Sequence, residues 1–237
     1  MWGYKLKIYL VNDIEEVDDD SLAILQRLLK SEKLEKVNKY HNKADKQRCV
    51  VGEVLIRFIL SEACLINCNE VSFTYNEYGK PYIINQSGIE FNLSHSCNYA
   101  AGAIDTMPIG IDIERIKEID LSIAKYFFSS QEYSDLISFD QFTQLNYFYD
   151  LWTLKESYIK AKGKGLSIPL NSFTIRKVKE IIYMENNEEF YYFKQYFIEK
   201  DYTLSVCARN NNFPSCVNVI KLEDLVHYAK MMRSFHN

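Results

Sequence analysis

The chain has 237 residues, 47% of them hydrophobic and 14% aromatic, and a net charge of −4. That length accommodates one large globular domain or two smaller ones folded together. The acidic balance argues against general binding to nucleic acid or anionic membrane, both of which favour a positive surface. No run of 18 apolar residues occurs, so no membrane span is expected. The start of the chain lacks the long apolar centre and small-residue cleavage site of a secretory signal. Six cysteines without a Cys-x-x-Cys pair are expected as free thiols in the reducing cytoplasm.

In chain order, residues 1–10 read as a first strand. Asp18-Asp19-Asp20-Ser21 before the apolar run 22–29 marks a helix start. Lys30, Lys33, Lys36, Lys39, Lys43, Lys46 and Arg48 then face only Glu32, Glu35 and Asp45, in what should be short helical pieces. From about residue 45 to 64 an amphipathic pattern predicts a long helix, with Val51, Val54, Leu55, Phe58 and Ile59 on its buried stripe. Gly79-Lys80-Pro81 is a turn between short extended segments. Residues 91–96 and 100–104 predict adjacent strands.

Asp105-Thr106-Met107-Pro108 forms a seam between a first half, 1–107, and a second half, 108–237. The second opens on a strand at 110–114 and continues with helices at 122–128, 131–137 and 141–162. Ser129-Ser130 fits a helix N-terminus and Gly163-Lys164-Gly165 a helix end. The remainder reads as strands, at 173–176, 190–193 and 202–207. The expected class is α+β, with helices on mainly antiparallel sheets. The order of elements raises the idea of an internal duplication, although no residue-level repeat supports it.

Two segments carry chemistry. In Gly110-Ile111-Asp112-Ile113-Glu114 the strand period puts Asp112 and Glu114 on one face and the isoleucines on the other. In Trp152-Thr153-Leu154-Lys155-Glu156-Ser157 and beyond, Glu156 and Lys160 are i,i+4 neighbours on a helix. Three carboxylates that can converge beside lysines suit a hard divalent cation holding a phosphate-bearing ligand. No Gly-rich phosphate loop of the Walker or dinucleotide type accompanies them.

Four elements in order, Tyr78-Gly79-Lys80-Pro81, Phe91-Asn92-Leu93-Ser94-His95-Ser96, residues 108–114 and residues 152–160, resemble the 4′-phosphopantetheinyl transferases. The match is to the larger single-chain type that activates the surfactin synthetase, and it extends roughly from the first strand to Cys207. The resemblance implies two similar α+β halves forming a pseudo-dimer, with coenzyme A bound in the cleft between them. It implies transfer of phosphopantetheine from coenzyme A to a serine of an apo peptidyl or acyl carrier protein, with release of 3′,5′-adenosine bisphosphate. By the same resemblance, Asp112, Glu114 and Glu156 match magnesium ligands, and Ser94, His95 and Lys80 match contacts to the nucleotide phosphates. Lys33, Lys36 and Arg48 match basic positions around the adenosine and its 3′-phosphate. Lys160 matches the lysine at the pyrophosphate, and Lys155 belongs to the coenzyme A-binding motif.

Each residue also has a plainer reading. Asp112 and Glu114 fit the solvent face of a strand, Glu156–Lys160 an ordinary surface pair worth ~0.2–0.5 kcal/mol, His95 a turn histidine and Lys80 a turn lysine. Trp152 reads as packing that orients its helix. Rival activities are a magnesium-dependent phosphohydrolase or nucleotidyltransferase and a non-catalytic coenzyme A-binding module. Tyr126-Phe127-Phe128, residues 141–149 and residues 166–170 are candidate contacts for the carrier protein, and a monomer is expected.

Overall fold

A computed structural model describes residues 5–84 and 88–233, so residues 1–4 of the expected first strand lie outside it. The first half runs β1 (Lys7–Val11), α1 (Asp19–Gln26), α2 (Ser31–Val37), α3 (Lys43–Cys64), β2 (Phe73–Tyr75), β3 (Pro81–Ile83), β4 (Glu90–Ser96) and β5 (Tyr99–Asp105). The second half repeats that order: β6 (Ile109–Arg115), α4 (Ala124–Phe127), α5 (Ser130–Ser138), α6 (Gln141–Lys162), β7 (Ile175–Val178), β8 (Ile181–Met184), β9 (Tyr192–Phe197) and β10 (Tyr202–Ala208). In both, the third helix has 22 residues and is followed by a two-stranded hairpin. The pairing repeats as well, β1–β5–β4 in one sheet and β6–β10–β9 in the other, all antiparallel. The protein is therefore α+β and built as two similar halves.

The chain then returns to where it began. β11 (Asn218–Ile220) pairs parallel with β1, and α7 (Leu222–Arg233) places Leu225, Val226 and Ala229 in the core under α3. Two expectations are corrected here. The stretch after Cys207 is not all strand, because α7 buries residues spaced by three and four. The tail at 218–233 also packs with the first half, although it follows the second in sequence.

Alternation in the strands builds the layers. Ala100, Gly102 and Ile104 of β5 face α3, whereas Ala101 and Ala103 point the other way. They share a buried core with Ile8 and Leu10 of β1, Ile111 and Ile113 of β6, and Leu204 and Val206 of β10. The sheets thus pack on each other, with α3 covering the outer face of one and α6 the outer face of the other.

Gly110 permits the closeness of α6: a Cβ there would lie 2.0 Å from Ser157 O and 2.4 Å from Ala161 N. Asp140 caps α6 at its start, accepting from the amides of Phe142 and Thr143, and Gly163 ends it in the left-handed conformation at φ 68°.

Candidate active site

The isoleucines of β6 fill the inter-sheet core, so Asp112 and Glu114 are forced to the face shared with α6. Along α6 the i,i+4 spacing brings Glu156 and Lys160 over the same face. These four, with Ser94 and His95 from β4, line one cavity of about 390 Å³, with Leu93 and Trp152 as apolar walls. Trp152 packs against Phe148 and Phe127, as expected of a residue that orients its helix.

Asp112 is 3% exposed. Its Oδ1 accepts from Lys160 Nζ at 2.6 Å and from Ser94 Oγ at 2.9 Å, while its Oδ2 is buried without a hydrogen-bond partner. Lys160 also donates to Ser94 Oγ and to the Ile111 carbonyl. Glu114 accepts from Ser96 Oγ at 2.7 Å. Burial raises the Glu114 pKa, opposed by the Ser96 hydrogen bond and reinforced by Asp112. Burial likewise raises Glu156, with Lys160 pulling down and Asp112 and Glu114 pushing up. Three carboxylates are crowded here around one ammonium.

Among the described residues, no three His, Cys, Asp or Glu side chains already close on a common point as around a bound metal. The donor set nevertheless fits a hard cation. All three acids offer oxygen, they border one cavity, and Asp112 Oδ2 is a buried acceptor in need of a partner.

At the mouth, His95 is exposed on its outer side. Reduced hydration, then the cations of Lys160, Arg48 and Lys33, hold its imidazole below the ordinary histidine pKa despite a backbone hydrogen bond that works the other way. Arg48 bridges Glu15, at 2.8 Å, and Asp45. Lys33 stands 3.6 Å from Glu53, and Lys36 is exposed on α2. Lys80 is buried at the junction of the halves, 3.1 Å from Glu90 and donating to the Ala161 carbonyl near the end of α6. It lines a second cavity of about 200 Å³ that shares Lys160 with the first.

Lys155 is a correction. It is fully buried, ion-paired with Glu132 at 2.8 Å, and donates to the carbonyls of Leu170 and Phe173. Adjacent helical residues point about 100° apart, so with Glu156 on the cavity Lys155 is turned into the protein. All three of its donors are used, and it lines neither of the two cavities that share Lys160.

Two polar residues escaped the sequence reading. Asn92 Oδ1 accepts from the Ile111 amide at 2.9 Å, and Ser96 bonds both Glu114 and the Arg115 amide. The signal was their alternation with Ser94, in phase along one strand.

Comparison with known proteins matches this architecture half by half. Residues 17–107 fit the family model "4'-phosphopantetheinyl transferase, N-terminal" and residues 108–207 fit "4'-phosphopantetheinyl transferase superfamily". The chain belongs to the 4′-phosphopantetheinyl transferase superfamily and is an enzyme of that class. It is 38% identical over 224 residues to the 4′-phosphopantetheinyl transferase Sfp of Bacillus subtilis (strain 168), covering 93% of this chain and 100% of the relative. It is also 42% identical over 186 residues to the 4′-phosphopantetheinyl transferase gsp of Aneurinibacillus migulanus, covering 78% of each. No helix among the described residues is long and apolar enough to cross a membrane.

Proposed function

We propose that this enzyme moves 4′-phosphopantetheine from coenzyme A to a serine hydroxyl of an apo peptidyl or acyl carrier protein, with Mg²⁺, releasing 3′,5′-adenosine bisphosphate. The observation that carries the reading is the single wall formed by Asp112, Glu114 and Glu156, with Lys160 2.6 Å from Asp112.

Asp112, Glu114 and Glu156 would hold the magnesium. When bound, it neutralises pyrophosphate charge and makes the attacked phosphorus more electrophilic. Glu156, a carboxylate made more basic by burial, accepts the proton of the carrier serine. Lys160 stabilises the charge that develops on the departing adenosine bisphosphate. Arg48, Lys33 and Lys36 surround the 3′-phosphate, and Arg48 is released for it by exchanging its exposed partners Glu15 and Asp45. His95 and Lys80 line the two cavities joined by Lys160 and orient the nucleotide phosphates.

The carrier meets the second half beside this cleft. Tyr126, Phe142 and Leu166 are 74%, 76% and 70% exposed, which supports an apolar contact surface. Phe128 and Leu170, from the same candidate segments, are buried and take no part. All six cysteines are free, in keeping with a cytoplasmic enzyme, and one chain supplies every group named, in keeping with a monomer.

The test is intact-protein mass spectrometry of an apo peptidyl carrier domain incubated with the enzyme, coenzyme A and Mg²⁺. A gain of one phosphopantetheine is expected, lost with EDTA or when the carrier serine is replaced by alanine. Coenzyme A left intact with every peptidyl and acyl carrier tried would sink the assignment.

A further inference from the structure

β6 has two neighbours and bonds them differently. Towards β10 it forms an ordinary antiparallel ladder, Asp112 opposite Ser205 and Glu114 opposite Thr203. Towards β4 the rungs are side chains. The amides of Ile111, Ile113 and Arg115 donate to Asn92 Oδ1, Ser94 Oγ and Ser96 Oγ at 2.9, 3.3 and 3.1 Å. Every second residue of a first-half strand thus serves every second amide of a second-half strand.

A serine hydroxyl has one proton and two acceptor positions. Ser94 directs its proton to Asp112 Oδ1 at 2.9 Å, and Ser96 directs its own to Glu114 Oε2 at 2.7 Å. Each hydroxyl is therefore tied at both ends, by a backbone amide on one side and a carboxylate on the other. From this geometry we propose that Ser96 is a positioning residue for Glu114, the outer rung of a side-chain ladder through which the first half aims the carboxylates of the second.

The inference rests on reading Asp112, Glu114 and Glu156 as a cation site. A carboxylate whose second oxygen is fixed by a hydroxyl loses less rotamer freedom on meeting a cation, so affinity gains without a new ligand. Ser94 falls into the same role. Its proton goes to Asp112, and its lone pairs face the Ile113 amide and Lys160. Ser96 is the better probe because Arg115 is exposed, so its amide can turn to water when the hydroxyl is removed.

The experiment measures Mn²⁺ binding by electron paramagnetic resonance, first with Mn²⁺ alone and then with coenzyme A added, on wild type, Ser96→Ala and Ser96→Thr. Melting temperatures are recorded alongside. Ser96→Ala is expected to bind about 10- to 100-fold more weakly, with a wild-type melting temperature, while Ser96→Thr keeps the hydroxyl and the affinity. Equal Mn²⁺ affinity in wild type and Ser96→Ala, or a Ser96→Thr as weak as Ser96→Ala, overturns the proposal and leaves the transfer reading intact. No Mn²⁺ binding by wild type in either condition overturns the cation site and the proposal together. A hydroxyl-dependent Mn²⁺ site in a protein that modifies no carrier upholds the proposal and removes the proposed reaction.

Discussion

The two oxygens of Asp112 have opposite fates. Oδ1 is held by Lys160 and Ser94, and Oδ2 is buried and unpartnered. A buried carboxylate oxygen without a partner costs free energy, and here the cost sits where Glu114 and Glu156 already resist ionisation because they are desolvated. One added positive charge would relieve all three, which is the residue-scale argument for a cation. Glu156→Gln keeps the shape of the side chain and removes its charge and basicity. Its turnover is expected to fall by about 10²- to 10⁴-fold with an unchanged circular dichroism spectrum; near wild-type turnover at saturating Mg²⁺ would remove Glu156 from the chemistry. Arg48 makes a different kind of contribution. Its partners Glu15 and Asp45 are about half exposed, so their loss hardly affects stability. Arg48→Ala should raise KM for coenzyme A by roughly tenfold or more, the worth of a charge-assisted hydrogen bond. With 3′-dephospho-coenzyme A, KM should hardly change. An equal rise with both substrates would place Arg48 away from the 3′-phosphate.

At the scale of elements, the site depends on how closely α6 lies against β6. The atoms that a Cβ on Gly110 would strike, Ser157 O and Ala161 N, are backbone and cannot swing aside. Gly110→Ala must lift the helix or bend the strand, at a cost of about 1–3 kcal/mol typical of overpacking. Because Glu156 and Lys160 ride on the same turns, turnover should fall along with the urea midpoint. A variant with both values unchanged would show that the contact is not what sets the site. Much of this was legible in the chain: the alternation of 110–114 and the i,i+4 spacing of Glu156 and Lys160 fix which faces carry acid. Lys155 was not legible, because its partner Glu132 sits on another helix and only three-dimensional packing shows that the pair is sealed. α7 was missed for a related reason. Its apolar residues Leu222, Leu225, Val226 and Ala229 keep helical spacing, but the surface they cover belongs to the first half, some 170 residues earlier in the chain.

Across the whole molecule, the two similar halves differ at the edges of their first strands. The edge of β6 that meets β4 corresponds to the edge of β1 that meets β11. A strand from the tail therefore fills on one side the place that on the other holds the polar ladder and the carboxylates. The sequence hinted at the repeat only through the order of its elements, since similar backbones here carry different residues. Both crossings between the halves pass one point. Asp105 ends β5 just before the link to β6, and Asn210 follows β10 as the chain turns back towards β11; the two side chains are hydrogen-bonded, and the Arg209 amide donates to the Pro108 carbonyl. Asp105 is 1% exposed, and burial raises its pKa against the bonds from Thr106 and Asn210. The folded state therefore binds the Asp105 proton more tightly than the unfolded chain does, and this group's contribution to stability must fall as pH rises. That contribution is complete below the ordinary aspartate pKa and is lost as pH climbs through the raised folded value. Urea unfolding of wild type and Asp105→Asn across the mildly acidic range isolates it. The difference, wild type minus variant, should decline with rising pH and level off once Asp105 is ionised in both states. A difference that stays flat, or grows with pH, would show that Asp105 is not held against ionisation at this junction.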